Sequence, residues 1–248
     1  MSLSRITCSG IREFAPFDKI INILNLSEKV EFSVISNSIT MKSKTDGNEW
    51  LFELLDLSSK MSQSLNIKIH LTDDWGQLFG SKGIIPADIL DWFFNINMNN
   101  GKPVVKNWQI DLDKDPNLFN LDKVSRIISN NPELEFSFLY HPALHRKFSR
   151  LKDMNIKFSL LYGTEYSYNN KTRWSRPVFD TIPQGYLGGI NGNNVDFNLD
   201  KINALVPQDL DFWIEANKTL INKSDEFDFN YANYFVKNAL AWSNKFTK

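Results

Sequence analysis

Cys8, His70 and Glu215 are the side chains of this sequence best suited to move a proton, and the Gly188-Gly189 pair is best suited to cradle an anion. A thiol acts as a base or nucleophile only as the thiolate, so Cys8 needs a polar, electropositive setting to serve. An imidazole titrates near neutral pH, and Asp73 and Asp74 follow His70 closely enough to orient or charge it. A carboxylate such as Glu215 or Glu165 acts as a base, a ligand for a sugar hydroxyl or the partner of a cation, according to its surroundings. Glycines at 188 and 189 let the backbone come close to a phosphate, with Asn191 in the same turn and Lys218 supplying charge from further along.

His141, Tyr162, Arg173 and Asn217 complete a candidate set for holding a substrate. Arg173 and Arg176 can grip a carboxylate or phosphate with forked hydrogen bonds. Tyr140, Tyr162, Tyr166, Tyr168, Trp174, Asn95 and Asn97 suit a sugar or a planar ring. Each of these has a plain structural reading beside the chemical one. Gly-Gly turns a strand into a helix, His70 packs in a core, His141 shapes the turn before Pro142, and a lone cysteine behaves as a small buried hydrophobe. His145, beside Arg146 and Lys147, reads as a solvated helix face. No metal site is expected, because His70, Asp73, Asp74 and Glu215 show no recognised ligand spacing.

The elements that must position these residues are short apolar or β-branched runs at Arg5–Cys8, Val30–Ser36, Asn66–Leu71, Trp92–Met98, Leu134–Tyr140, Ile156–Tyr162, Gly185–Gly189 and Phe212–Ala216. Near-continuous apolar runs of this length are what parallel strands buried on both faces require. Between them lie amphipathic stretches at Phe17–Leu26, Glu49–Leu65, Leu121–Ser129, Ala143–Met154, Leu199–Val206 and Tyr231–Phe246. Strands alternating with helices imply a parallel sheet with right-handed crossovers, and eight of them favour a closed (β/α)₈ barrel in the α/β class. Such barrels carry their chemistry at the C-terminal ends of the strands, where the candidate residues fall. Residues 1–248 are read as a single barrel domain. Two segments resist assignment: 99–120 reads as an inserted loop or an irregular helix region, and 164–183 as a Tyr-, Asn- and Arg-rich segment after the sixth strand.

Composition narrows the classes of partner. The 248 residues are 42% hydrophobic and 23% charged, and 28 basic residues nearly cancel 29 acidic ones, so neither nucleic acid nor an anionic membrane surface is an expected partner. No apolar run reaches the roughly 18 residues a bilayer span needs. A single cysteine and an N-terminus without a basic region followed by an apolar stretch point to the reducing cytoplasm. Oligomeric state leaves no mark in the sequence.

With the strands placed, the chain resembles phosphoribosylanthranilate isomerase and its relatives. The resemblance runs loosely over most of the chain and rests on a few motifs. Gly188-Gly189-Ile190 followed by Asn193-Asn194-Val195 is similar to that family's Gly-Gly-Leu and Asn-Val after the seventh strand. Trp213-Ile214-Glu215 and then Asp225-Glu226-Phe227-Asp228 resemble its closing strand, acidic turn and Phe-Asp helix start, and Ile6-Thr7-Cys8-Ser9-Gly10 resembles its Lys-Ile-Cys-Gly. The resemblance implies a phosphate corner at Gly188-Gly189 and an Amadori rearrangement of an N-linked phosphoribosyl amine without a cofactor. It also implies a cysteine base at the first strand and an aspartate acid at the sixth. The match departs at both catalytic positions. Aligned on Gly10, Ser9 stands where the cysteine belongs, and Tyr162 or Gly163 stands where the acid belongs. Adjacent strand residues face opposite ways, so Cys8 and Ser9 cannot both face the barrel interior.

These readings lead to one principal expectation: a divergent barrel that binds, and in some measure converts, a small phosphorylated or carboxylated metabolite. The departures argue against the family's reaction. Two alternatives stand beside it. One is genuine isomerase activity in tryptophan biosynthesis with Cys8 as base and Glu165 or Glu215 as acid. The other is a non-catalytic barrel serving as an interaction protein, whose mouth would be filled by Tyr and Trp.

Overall fold

The computed structural model describes residues 2–11, 15–37, 47–61, 65–85, 103–163, 165–166 and 172–246. Its strands are β1 (Leu3–Ile11), β2 (Val30–Ser36), β3 (Ile67–Leu71), β4 (Asn107–Ile110), β5 (Glu135–Leu139), β6 (Ser159–Gly163), β7 (Glu165–Tyr166), β8 (Thr172–Arg173), β9 (Gln184–Leu187) and β10 (Phe212–Ala216). Eight of them close a barrel in the order β1-β10-β9-β6-β5-β4-β3-β2, while β7 and β8 form a separate two-residue antiparallel pair. Seven α-helices are present among the described residues: α1 (Phe17–Leu24), α2 (Gly47–Lys60), α3 (Asp73–Lys82), α4 (Leu121–Asn130), α5 (His145–Asp153), α6 (Val195–Asn203) and α7 (Phe229–Asn244). The expected fold class, a parallel eight-stranded α/β barrel, is the observed one.

The chain divides into two compact units, one made of residues 1–33 and 159–248 and the other of residues 34–158. In the first, β1, β10, β9 and β6 lie side by side, with Arg5 level with Trp213, and Trp213 level with Gly185. On the alternate positions Ile6, Ile214, Tyr186 and Tyr162 are level with one another. The second row is the helix-facing one: Tyr186 meets the Trp174 ring edge-on at 5.6 Å, and Trp174 Nε1 donates to Asn198 Oδ1 of α6 at 3.0 Å. The first row therefore faces inward. There Arg5 lies 4.6 Å over the Trp213 ring, and Trp213 fills the space a side chain at Gly185 would need. Helix α7 begins where Asp228 accepts from the Tyr231 N–H (3.0 Å), and it buries Phe235, Val236, Ala239 and Trp242 on one stripe.

In the second unit β3, β4 and β5 run parallel, with His70 level with Gln109 and Gln109 level with Ser137. Ile69, Trp108 and Phe136 form the alternate row, and Phe79 of α3 packs on Phe136 and Phe138 at 5.7 and 6.0 Å. Phe148 of α5 extends this layer to Phe138 and Phe158. The helix-facing row is thus aromatic, and His70, Gln109 and Ser137 point inward.

Two sequence expectations change. The run Trp92–Met98 lies outside the described residues, and the barrel strand between β3 and β5 is Asn107–Ile110, within the segment expected to be a loop. Only Trp108 and Ile110 of its four residues face the helices, too short an apolar signal to read. Helix α3 was not expected either, because Gly76, Gly80 and two leading aspartates dilute its pattern.

Gly185→Val would place a side chain inside the Trp213 indole, where even a Cβ lies 2.1 Å from Trp213 Cε2. Overpacking of this kind costs about 1–3 kcal/mol or more. Urea unfolding should show at least that loss, and an unchanged midpoint would contradict the inward packing described.

Candidate functional site

At the C-terminal ends of the first unit's strands, β1 finishes in Ser9, Gly10 and Ile11, β9 runs into Gly188 and Gly189, and β10 into Asn217. Ser9 is on the inward row with Arg5 and Thr7, and its buried hydroxyl has no hydrogen-bond partner among the described residues. Cys8 is on the helix-facing row with Ile6 and is fully buried. Burial, and secondarily the charge of Glu215, push the Cys8 thiol far above its ordinary range. A thiol held neutral there is not a base at physiological pH.

Glu215 is inward, level with Thr7 and 1% exposed. Thr7 Oγ1 donates to Glu31 Oε1 at 2.9 Å, so two carboxylates flank this level of the first unit. Tyr162 faces the helices. Its ring stacks on Tyr186 at 5.8 Å, and its hydroxyl accepts from the Val178 N–H at 3.3 Å. Arg173 lies in β8, opposite Glu165 of β7.

The turn after β9 is built around two left-handed glycines, Gly188 at φ 106° and Gly189 at φ 65°. Only glycine adopts two such residues in succession without strain. Three asparagines hold the turn: the Asn194 side chain donates to the Gly189 carbonyl (2.9 Å) and accepts from the Asn191 N–H (2.8 Å), and Asn191 Oδ1 accepts from the Asn193 N–H (2.9 Å). Thr219 Oγ1 donates to the Ile190 carbonyl at 2.5 Å, tying this turn to the short 3₁₀ turn Lys218–Leu220 after β10. Lys218 is exposed beside it. A Cβ at Gly10 would lie 3.1 Å from Asn217 Oδ1, so β1 and Asn217 approach closely.

In the second unit His70 Nε2 lies 2.9 Å from Asp111 Oδ1 and 3.1 Å from Gln109 Nε2, while His70 Nδ1 and Gln109 Oε1 are buried without partners among the described residues. Asp111, just beyond β4, is partly exposed. It is the carboxylate beside His70. Asp73, expected in that role, instead accepts from Asn37 Nδ2 (2.9 Å) and Thr72 Oγ1 (3.1 Å), from a left-handed backbone at φ 50°. A non-glycine residue held there is strained. No local motif links Asp111 to His70; only the β3–β4 register does. His141 caps the turn Pro142–Leu144, its Nδ1 accepting from the Ala143 N–H at 3.3 Å. Asn95, Asn97 and Tyr168 lie outside the described residues. Among the described residues, no group of three or more His, Cys, Asp or Glu could hold a metal ion, and no helix is long and apolar enough to cross a membrane.

Closed parallel barrel, inward polar rows and a glycine turn after the seventh barrel strand define a protein of the (β/α)₈ class. Within that class its fold is similar to phosphoribosylanthranilate isomerase structures. The enzyme from Pyrococcus furiosus matches with TM-score 0.53 and 12% identity over 96% of this chain and 98% of that one. The Thermococcus kodakaraensis enzyme gives 0.53 and 10% over 95% and 98%. A phosphoribosylanthranilate isomerase in complex with reduced 1-(o-carboxyphenylamino)-1-deoxyribulose 5-phosphate gives 0.54 and 12% over 96% and 100%. At such identities the likeness is one of fold. No family model and no curated protein matches the chain.

Native protein should resist iodoacetamide at mildly alkaline pH and label fully at Cys8 once unfolded; rapid native labelling would refute the helix-facing placement. Because the folded thiol stays protonated where the unfolded one ionises, Cys8 contributes stability that is present below about pH 8.5 and lost as pH rises above it.

Proposed function

We propose that this chain binds a small phosphorylated or carboxylated metabolite at the C-terminal ends of β1, β9 and β10. The turn at Gly188-Gly189 carries the reading. Two left-handed glycines keep side chains away from the backbone there, and loops after the last two barrel strands are where barrels of this class hold phosphate. Asn194 and Thr219 brace the turn, which preorganises it against Lys218, so little ordering remains to be done on binding. Ser9 Oγ and Asn217 offer polar contacts from the neighbouring strand ends; the unpartnered serine hydroxyl is a group whose burial a ligand would offset. The compound bound in one structure of similar fold bears both a phosphate and a carboxyl group by its name, the chemistry expected here.

Isothermal titration with ribose 5-phosphate and with inorganic phosphate tests this. Saturable binding is expected, weakened about tenfold or more by Lys218→Gln, the loss expected for a hydrogen bond to a charged group. Absence of binding, or wild-type affinity in that variant, would sink the proposal.

The second unit carries an imidazole of its own, with His70 Nε2 2.9 Å from the Asp111 carboxylate and 3.1 Å from the Gln109 amide. Cys8 has no part in this reading, so a true isomerase with a cysteine base finds no support. A barrel mouth plugged by aromatics is likewise unsupported, because Tyr162, Trp174 and Tyr186 pack on the helix-facing side.

A further inference from the structure

We propose that an open recess between the C-terminal end of α3 and the length of α4 is a binding site for a small phosphorylated anion, separate from the strand ends. Lys82, Gly83, Lys123, Arg126, Asn130 and Asn131 line it with Ile127, and its volume is about 290 Å³. Three cations therefore line one recess, with no carboxylate among the described residues of its wall. None of the three has an ion-pair partner among the described residues.

Ordinary helix electrostatics account for only one of them. Lys82 lies in the last turn of α3, where a cation offsets the negative helix end. Lys123 lies in the first turn of α4, where the helix end is already positive, and Arg126 follows three residues later on the same face. Neither side chain offsets a negative helix end. Gly83 brings the two helices together: its left-handed cap ends α3, and a Cβ there would lie 2.7 Å from Lys123 Cβ. Any side chain at this position would push Lys123 out of the wall.

The charge selects the ligand. A phosphate monoester carries about −1.5 to −2 at neutral pH, closer to three cations than a single carboxylate is. Arg126 presents a forked set of donors that matches phosphate oxygens, and the two lysines add charge. The volume lies just below the roughly 300 Å³ at which pockets for larger ligands begin, so it suits a phosphate or diphosphate group with little attached. A nucleic-acid strand would need a longer track of cations than the three that line this recess.

The test is an amide-resolved NMR titration of the full chain with inorganic phosphate and with pyrophosphate, at ionic strength held constant with chloride. Saturable shifts are expected at Gly83, Lys123 and Arg126. Lys123→Gln and Arg126→Gln should each weaken binding about tenfold, while the melting temperature stays put because both side chains are exposed. Shifts that never saturate, an equal response to chloride, or wild-type affinity in both variants would overturn the proposal. So would tighter binding of a short single-stranded oligonucleotide than of pyrophosphate. Signals at Gly188 and Gly189 report the strand ends separately, so failure of one site is distinguishable from failure of the other.

Discussion

The pleat of a parallel strand buried on both faces governs this molecule. Successive side chains must go to opposite sides, so every barrel strand contributes one row to the helix layer and one to the interior. In the first unit that rule sends Ile6, Cys8, Ile214 and Tyr186 outward, and Arg5, Thr7, Ser9, Trp213 and Glu215 inward. In the second it sends Trp108 and Phe136 to the helices, and His70 and Gln109 inward. Shifting any of these strands by one residue would exchange the two sets and bury charge among aromatics.

The inward rows are unusually polar for a core, and their arrangement separates structure from chemistry. Deep in the first unit, Thr7 satisfies Glu31, and Arg5 spreads its charge over the Trp213 ring. Ser9 Oγ, His70 Nδ1 and Gln109 Oε1 are buried without hydrogen-bond partners among the described residues, as are Ser33 Oγ, Trp213 Nε1 and both amide atoms of Gln184. Buried polar atoms left unpaired cost about 1–3 kcal/mol each, and proteins retain them chiefly where a ligand, water or reaction answers the deficit. The strained backbone at Asp73 falls on the same strand ends as His70.

Much of the scaffold was legible in advance. Val30–Ser36 and Phe212–Ala216 were read with the bounds observed, because a run of β-branched and aromatic residues between polar punctuation has little alternative to a buried strand. The glycine turn after β9 was legible for a similar reason, since two successive left-handed residues admit little else. Strand β4 was not, because half of its four side chains are polar and face inward. Helix α3 was hidden by its own glycines. Among the candidate site residues, Cys8 and Tyr162 carried the right chemistry on the helix-facing row, and His141 was engaged in capping its own turn.

By itself the sequence determined the alternation of strands and helices, seven of the eight barrel strands, and the positions where glycine alone can turn the chain. These are local properties, set by periodicity and by steric limits within a few residues. Tertiary structure decided which carboxylate meets His70, which of Cys8 and Ser9 faces inward, and which lysines share a cavity with Arg126. Those outcomes depend on strand register and helix packing between residues distant in the chain. No local pattern encodes them, because the energy that selects them is released only when the whole inward or helix-facing row is packed at once.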